Sequence, residues 1–205
     1  MDSEVRSKSD QETMDREPSS EDLMVKTARG DEIAFEALVL RHQTSVLNLI
    51  YRFVGDRTQA KDLSQEVFLR VWQAAKNYEA KAKFTTWVYR IASNLCLNEL
   101  KSARRRKWFP FHRSDGDRES AIEETFSDGS PTVEDLLLAR EQTRQISEAL
   151  QSLPANQRMA MVLKRYDDLS YQEIAKILNC SVSAVESLLV RAKKTLQKKL
   201  TIFEK

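Results

Sequence analysis

The chain is poor in the residues that punctuate a fold. Its 205 residues include only four Gly and four Pro. A sandwich of many β-hairpins needs a turn every ~8–12 residues, mostly built on Gly, Pro and Asn. This composition argues against one. There are two Cys, Cys96 and Cys180, and two His, His42 and His112, with no C-x-x-C or H-E-x-x-H spacing. No metal site is expected from that set. The two thiols sit far apart inside helical patterns, where a free Cys reads as a small hydrophobe; a redox-sensing pair is the alternative. No nucleophile–base pair and no phosphate-binding Gly loop stands out, so neither catalysis, cofactor nor small-molecule substrate is expected. No apolar run approaches the ~20 residues that span a bilayer. The opening MDSEVRSKSDQETMDREPSSED has no apolar signal-peptide core. The expected protein does not itself span a membrane and works in the cytoplasm.

Net charge is also small, +2, but it is unevenly placed. Residues 1–22 hold eight acids and three bases, and residues 99–114 hold one acid and six bases. Residues 115–135 hold eight acids and one base, and residues 191–205 hold one acid and six bases. Two cationic blocks are therefore separated by an anionic one. Such asymmetry points to a polyanionic partner.

What the chain does have is helical periodicity. Residues 1–22 are polar and acidic and are expected to form a disordered leader. From Leu23 onward apolar residues recur at spacings of three and four, through Ile33, Phe35, Leu38, Val39, Val46, Leu49, Ile50 and Phe53. Gly30-Asp31 and Gly55-Asp56 interrupt the pattern, and Asp31 is placed to cap the helix after it. A third helix, TQAKDLSQEVFLRVWQAAKNY, carries a stripe of Leu63, Val67, Val71 and Ala75. Asp62, Gln65, Glu66, Leu69, Arg70 and Gln73 lie towards its other side. EAKAKF reads as a loop. A fourth helix, TTWVYRIASNLCLNELKSARRRK, starts at a Thr cap and ends in a basic cluster. Residues 108–131 hold two Pro, two Gly and many acids without a sustained period, the mark of a linker between domains. From Thr132 helical patterns resume, with Thr132 and Asp135 spaced as a capping-box variant. The expected fold class is all-α: two small helical domains, 23–107 and 132–205, joined by a flexible linker.

The stretch YQEIAKILNCSVSAVESLL reads as a helix-turn-helix. Small Ala175 sits where the second helix must approach. Asn179 falls at the turn, where Asn tolerates positive φ. Ile174 and Leu178 face inward from the first helix; Val182, Val185 and Leu189 or Leu188 do so from the second. Ser181 or Ser183 caps that second helix. Ser183, Ala184, Glu186, Ser187, Val190 and Arg191 are left facing out. In the usual docking this face enters the major groove. Lys194 and its basic neighbours would then follow the phosphates, adding affinity without sequence information. A plain helical hairpin with a solvated lysine face is the bland alternative. In the fourth helix, Tyr78, Phe84, Trp87 and Tyr89 precede Asn94, Asn98 and the bases Arg104 to Lys107. Rings beside cations suit unstacked bases, although Trp87 also fits a plain core position.

Both halves together resemble a group 4, or extracytoplasmic function (ECF), sigma factor of bacterial RNA polymerase. The resemblance lies in GDEIAFEALVLRHQ, DLSQEVFLRVWQAAKNY, FTTWVYRIASNLCLNELKSARRRK, LPANQRMAMVLKRYDDLSYQEIAKIL and SVSAVESLLVRAKKTL, in the family's order. It implies that 23–107 is sigma region 2 and 132–205 is region 4. It implies a contact between Asp62, Gln65, Glu66 and Arg70 and core polymerase, whose β′ clamp and β flap hold the two regions. It implies that Tyr78, Lys81, Lys83, Trp87, Asn94, Asn98, Arg104 and Arg105 bind and melt the −10 element. It implies that Ser183, Ala184, Glu186, Ser187, Arg191 and Lys194, in and just after a helix-turn-helix at 171–190, read the −35 element as duplex. Promoter DNA and an anti-sigma factor are the further partners implied. Glu186 and Leu188 stand where many relatives carry basic residues, which puts more weight on Arg191. The rival readings are a helix-turn-helix regulator that binds duplex DNA without polymerase, and a helical adaptor.

Overall fold

The computed structural model describes residues 17–79, 83–108 and 133–203, with the backbone alone for 104–108, 133–140 and 200–203. Eight α-helices are described: α1 (Ser20–Ala28), α2 (Glu32–Val54), α3 (Arg57–Ala74), α4 (Phe84–Trp108), α5 (Val133–Gln151), α6 (Ala155–Tyr166), α7 (Tyr171–Leu178) and α8 (Val182–Phe203). A short 3-10 turn, Ala75–Asn77, extends α3. No strand occurs among the described residues, and none of their helices is long and apolar enough to cross a membrane.

Local chemistry sets the boundaries. Ser19 and Asp22 form a reciprocal capping box at the start of α1. Asp31 caps α2 by accepting the Ala34 N–H at 2.9 Å. Gly55, at φ 80°, ends α2 in the left-handed conformation that glycine adopts without penalty. Asp56 then caps α3 through the Gln59 N–H at 2.7 Å. The first domain closes around Met24, Leu38, Leu49, Ile50, Phe53, Val67, Val71, Phe84 and Val88, all fully buried. Each such side chain contributes ~1.5–3 kcal/mol by leaving water. The second domain packs α6, α7 and α8 around Met159, Leu163, Ile174, Ile177 and Val185.

Three expectations need correction. The helix at the N-terminus begins at Ser20, so residues 20–22 belong to α1; its Ser19–Asp22 box extends the order past the apolar pattern. The fourth helix begins at Phe84 and has no Thr cap: its first N–H is taken by Glu21 of α1, whose Oε1 accepts it at 2.6 Å. That helix also runs through Trp108. The Thr132 cap, residues 1–16 of the leader and 109–131 of the linker lie outside the described residues.

The two domains also pack on each other. Helices α5 and α6 contact α2, and α6 and α7 contact α4. The junction is rich in polar contacts. Arg158, 5% exposed, donates from Nη1 to the Phe53 carbonyl at 2.8 Å, and Gln151 Nε2 donates to the same oxygen at 3.0 Å. That carbonyl lies in the last turn of α2, where no intrahelical donor remains. Tyr89 Oη donates to Asp167 Oδ1 at 2.9 Å, and the Arg52 guanidinium lies 4.2 Å from the centre of the Tyr166 ring.

Candidate nucleic-acid interface

The helix-turn-helix is assembled by short-range signals. Ser170 and Glu173 make a reciprocal capping box at the start of α7. The helix buries Ile174, Ala175 and Ile177 and leaves Leu178 half-buried. Asn179 turns the chain at φ 51° and ψ 52°, as its side chain permits. Its N–H and that of Cys180 both point to the Ala175 carbonyl, closing the end of the helix. Of the two serines open for the next cap, Ser181 takes it, accepting the Ala184 N–H at 3.2 Å, while Ser183 pairs with the Ser181 hydroxyl. Between Leu188 and Leu189, it is Leu189 that is buried.

The outward face of α8 is Ser183, Glu186, Ser187, Val190 and Arg191, all exposed, followed by exposed Lys193, Lys194, Lys198 and Lys199. Ala184 is half-buried and sits at the edge of this face. Val190, 66% accessible, is an exposed apolar side chain between polar groups and a run of cations. Such a face suits a groove that offers thymine methyls beside phosphates.

The second face lies on α4. Trp87, Asn94, Asn98 and Lys101 follow one another at intervals of seven, four and three, so the helix brings them into one stripe. Asn94, Asn98 and Lys101 are exposed, and so is Arg90 beside them. Trp87 is half-buried and belongs to a ring cluster: its centroid is 5.1 Å from Tyr78 and 5.9 Å from Phe84. Phe84 is core; Tyr78 and Trp87 present only part of their rings. Glu21 stands at the foot of this cluster. Burial first, and the Glu21 charge second, raise the Tyr78 hydroxyl above its ordinary value. Lys83 is exposed but paired at 3.7 Å with Glu173 of α7. Lys81 lies outside the described residues, as do the side chains of Arg104 and Arg105. Arg90 and Glu21 are not among the residues that the sequence reading singles out. The stripe from Trp87 is legible once the period is written out; the Glu21 contact, 63 residues away, is not.

On α3, Asp62, Gln65 and Arg70 are exposed, while Glu66 is half-buried and paired to Arg70 at 2.8 Å. Gln65 also lines a groove of about 650 Å³ between α2 and α3, with Phe35, Val39, Phe68, Leu69 and Trp72. Leu69 is 51% exposed there, so the polar face continues into an apolar one.

A helix-turn-helix with an exposed second helix, and a separate stripe on α4 that joins half-buried rings to exposed asparagines, define an all-helical protein with two unlike candidate surfaces. The sequence carries the same division: sigma-70 region 2 matches residues 38–106 and sigma-70 region 4 matches residues 143–196. The chain is 34% identical over 184 residues to the RNA polymerase sigma-H factor of Pseudomonas aeruginosa, covering 87% of this chain and 92% of that protein. It is 36% identical over 186 residues to the ECF RNA polymerase sigma-E factor of Escherichia coli K12, with the same coverage. The chain belongs to the ECF sigma factors of the sigma-70 family. Two solved structures share its fold. One is CnrH in complex with the cytosolic domain of CnrY, with TM-score 0.63, 24% identity, and coverage of 88% of this chain and 96% of that one. The other is the sigma factor RpoE in complex with the anti-sigma factor NepR from Bartonella quintana, with TM-score 0.60, 22% identity and coverage of 82% and 97%.

Proposed function

We propose that this protein binds core RNA polymerase and directs promoter-specific initiation. The outer face of α8 reads the −35 element as duplex, and the stripe from Trp87 to Lys101 on α4, with Tyr78 and the loop before Phe84, holds the melted −10 strand. The observation that supports this best is the presence, on one chain matching nearly the full length of sigma factors, of two unlike exposed faces. One is helical and polar for a groove; the other is aromatic for unstacked bases. Flipping a base out of the duplex costs a few kcal/mol, and ring stacking at ~1–3 kcal/mol per base offsets it.

Asp62, Gln65, Glu66 and Arg70 on α3, continued by the groove at Leu69, form the polymerase-binding surface, which contacts the β′ clamp; region 4 lies against the β flap. An anti-sigma factor is the expected regulator, by likeness of fold to CnrH and RpoE, both solved with a protein bound. The protein acts in the cytoplasm as an initiation factor, leaving phosphodiester chemistry to the polymerase. The test is reconstituted transcription. Core polymerase with this chain should start transcripts at a defined promoter. A regulator that binds duplex without polymerase would footprint DNA alone and leave core enzyme silent.

A further inference from the structure

We infer that Glu21 of α1 is a positioning residue for the melted strand: its carboxylate fixes the first turn of α4, and through that turn it holds the ring pair of Tyr78 and Trp87 in place for an unstacked base. The inference rests on the −10 reading above and adds to it a residue outside the face that touches DNA.

Helix α4 starts without a cap of its own. The Lys83 carbonyl accepts the Trp87 N–H at 3.3 Å, which puts Lys83 in the N-cap position. Helices prefer Ser, Thr, Asp or Asn there, because that side chain accepts from the orphaned N–H groups of the first turn. A lysine ammonium carries donors only, and Lys83 Nζ lies 3.7 Å from Glu173 of α7. The missing acceptor comes from 63 residues earlier: Glu21 Oε1 takes the Phe84 N–H at 2.6 Å. A carboxylate there also meets the positive end of the helix dipole.

Helix α1 is fixed firmly enough to serve as the anchor. It buries Leu23, Met24 and Thr27. Its Ser20 hydroxyl pairs with His42 Nε2 of α2 at 2.8 Å, and the His42 ring lies 4.9 Å from the Phe84 ring. Phe84 is therefore held at two points, its N–H by Glu21 and its ring by His42 and the core. Trp87 follows three residues later, on the same side of the helix, with its ring centroid 5.9 Å from that of Phe84. Tyr78 reaches the cluster from the end of the 3-10 turn, 5.1 Å from Trp87. The Tyr78 hydroxyl oxygen is buried with no partner among the described residues, so packing on Trp87 and Phe84 orients this ring. A frayed first turn would release Trp87 and leave Tyr78 unsupported. Asn94 and Asn98, roughly two and three turns further along, would keep their places. A ring that must be ordered at the moment of binding weakens the complex, so the anchor acts on affinity for the strand.

The test uses the full chain on core polymerase. The probe is the single-stranded, non-template −10 segment of the promoter mapped by reconstituted transcription, and affinity for core polymerase is measured in parallel. Glu21→Ala should weaken strand binding roughly five- to ten-fold. Its affinity for core polymerase, whose contact lies on α3, should stay within about two-fold of the parent. Glu21→Gln keeps an acceptor oxygen and should bind the strand clearly better than Glu21→Ala. Added to Trp87→Leu, Glu21→Ala should cost under about two-fold more; added to Asn94→Ala, about 10 Å along the helix from Trp87, it should multiply in full. Parental strand binding by Glu21→Ala overturns the inference, as does a Gln variant no better than the alanine. An equal loss of core affinity overturns it too, by marking a fold defect, and so does full multiplication in the Trp87→Leu background. If the parent on core polymerase shows no preference for the −10 strand over an unrelated one, the −10 reading itself falls, and the inference with it.

Discussion

Replacing Arg158 by alanine removes a side chain that makes four hydrogen bonds. Its Nη1 donates to the Phe53 carbonyl at 2.8 Å and to Gln151 Oε1 at 2.5 Å. Its Nη2 donates to the carbonyls of Leu153, at 3.3 Å, and of Gln151. The guanidinium also lies 5.2 Å from the centre of the Phe53 ring. Hydrogen bonds from a charged group contribute ~1.5–3 kcal/mol net each, and a stripped buried acceptor costs ~1–3 kcal/mol. The four bonds share one cation, so they do not add. Phe53 keeps the Gln151 amide, which leaves two backbone carbonyls without this donor. The expected loss is roughly 3–5 kcal/mol, a large part of the ~5–15 kcal/mol that holds a domain folded. In urea, with a slope of ~2 kcal/mol per molar, the midpoint should fall by roughly 2 M. Arg158→Lys, which keeps the charge but reaches fewer acceptors, should lose about half as much. Far-UV circular dichroism across a urea series measures both. A midpoint shift equivalent to under about 1 kcal/mol for the alanine variant would refute the account of this residue as the anchor of the turn between α5 and α6.

Asn94→Ala should impair strand opening, seen as weaker permanganate reactivity of −10 thymines, while Arg191→Ala should weaken dependence on the −35 sequence and leave opening intact; equal effects on both readouts would overturn the division of labour. His42 is 7% exposed and bonded to the Ser20 hydroxyl at 2.8 Å; burial first, then Arg41, holds its pKa below the ordinary value. A depressed histidine lends stability above about pH 6.5 that is lost as pH falls through its folded value, so Tm should drop on acidification from pH 7 to 5, and His42→Gln should flatten that part of the profile. Asn179→Gly should be tolerated, whereas Asn179→Val, forced to φ 51°, should cost ~1–2 kcal/mol and lower the melting temperature.

Much of the fold was legible because its signals are local. Gly55 and Asp56, Asp31, and Asn179 each act within four residues of themselves, so a linear reading finds them. The stripes of α2 and α3 follow from period alone. The candidate site was legible where it lies on one helix: Asn94 and Asn98, or Ser187 and Arg191. It was illegible where two helices meet. Glu21 reads as part of an acidic leader, yet it caps α4 from 63 residues away. Asp167 reads as a loop or cap acid, yet it accepts from Tyr89, 78 residues away.

By itself, then, the chain's order of residues determined that there would be two helical units, a helix-turn-helix in the second, and cations beside both. Periodicity, caps and left-handed turns are properties of neighbours, and neighbours are what a sequence displays. Only the tertiary structure decided that the units close on one another, that Arg158 serves the end of α2, and that Trp87 is shared between core and surface. Those outcomes depend on which orphaned carbonyl or half-covered ring meets which donor in space, and no local pattern encodes that meeting.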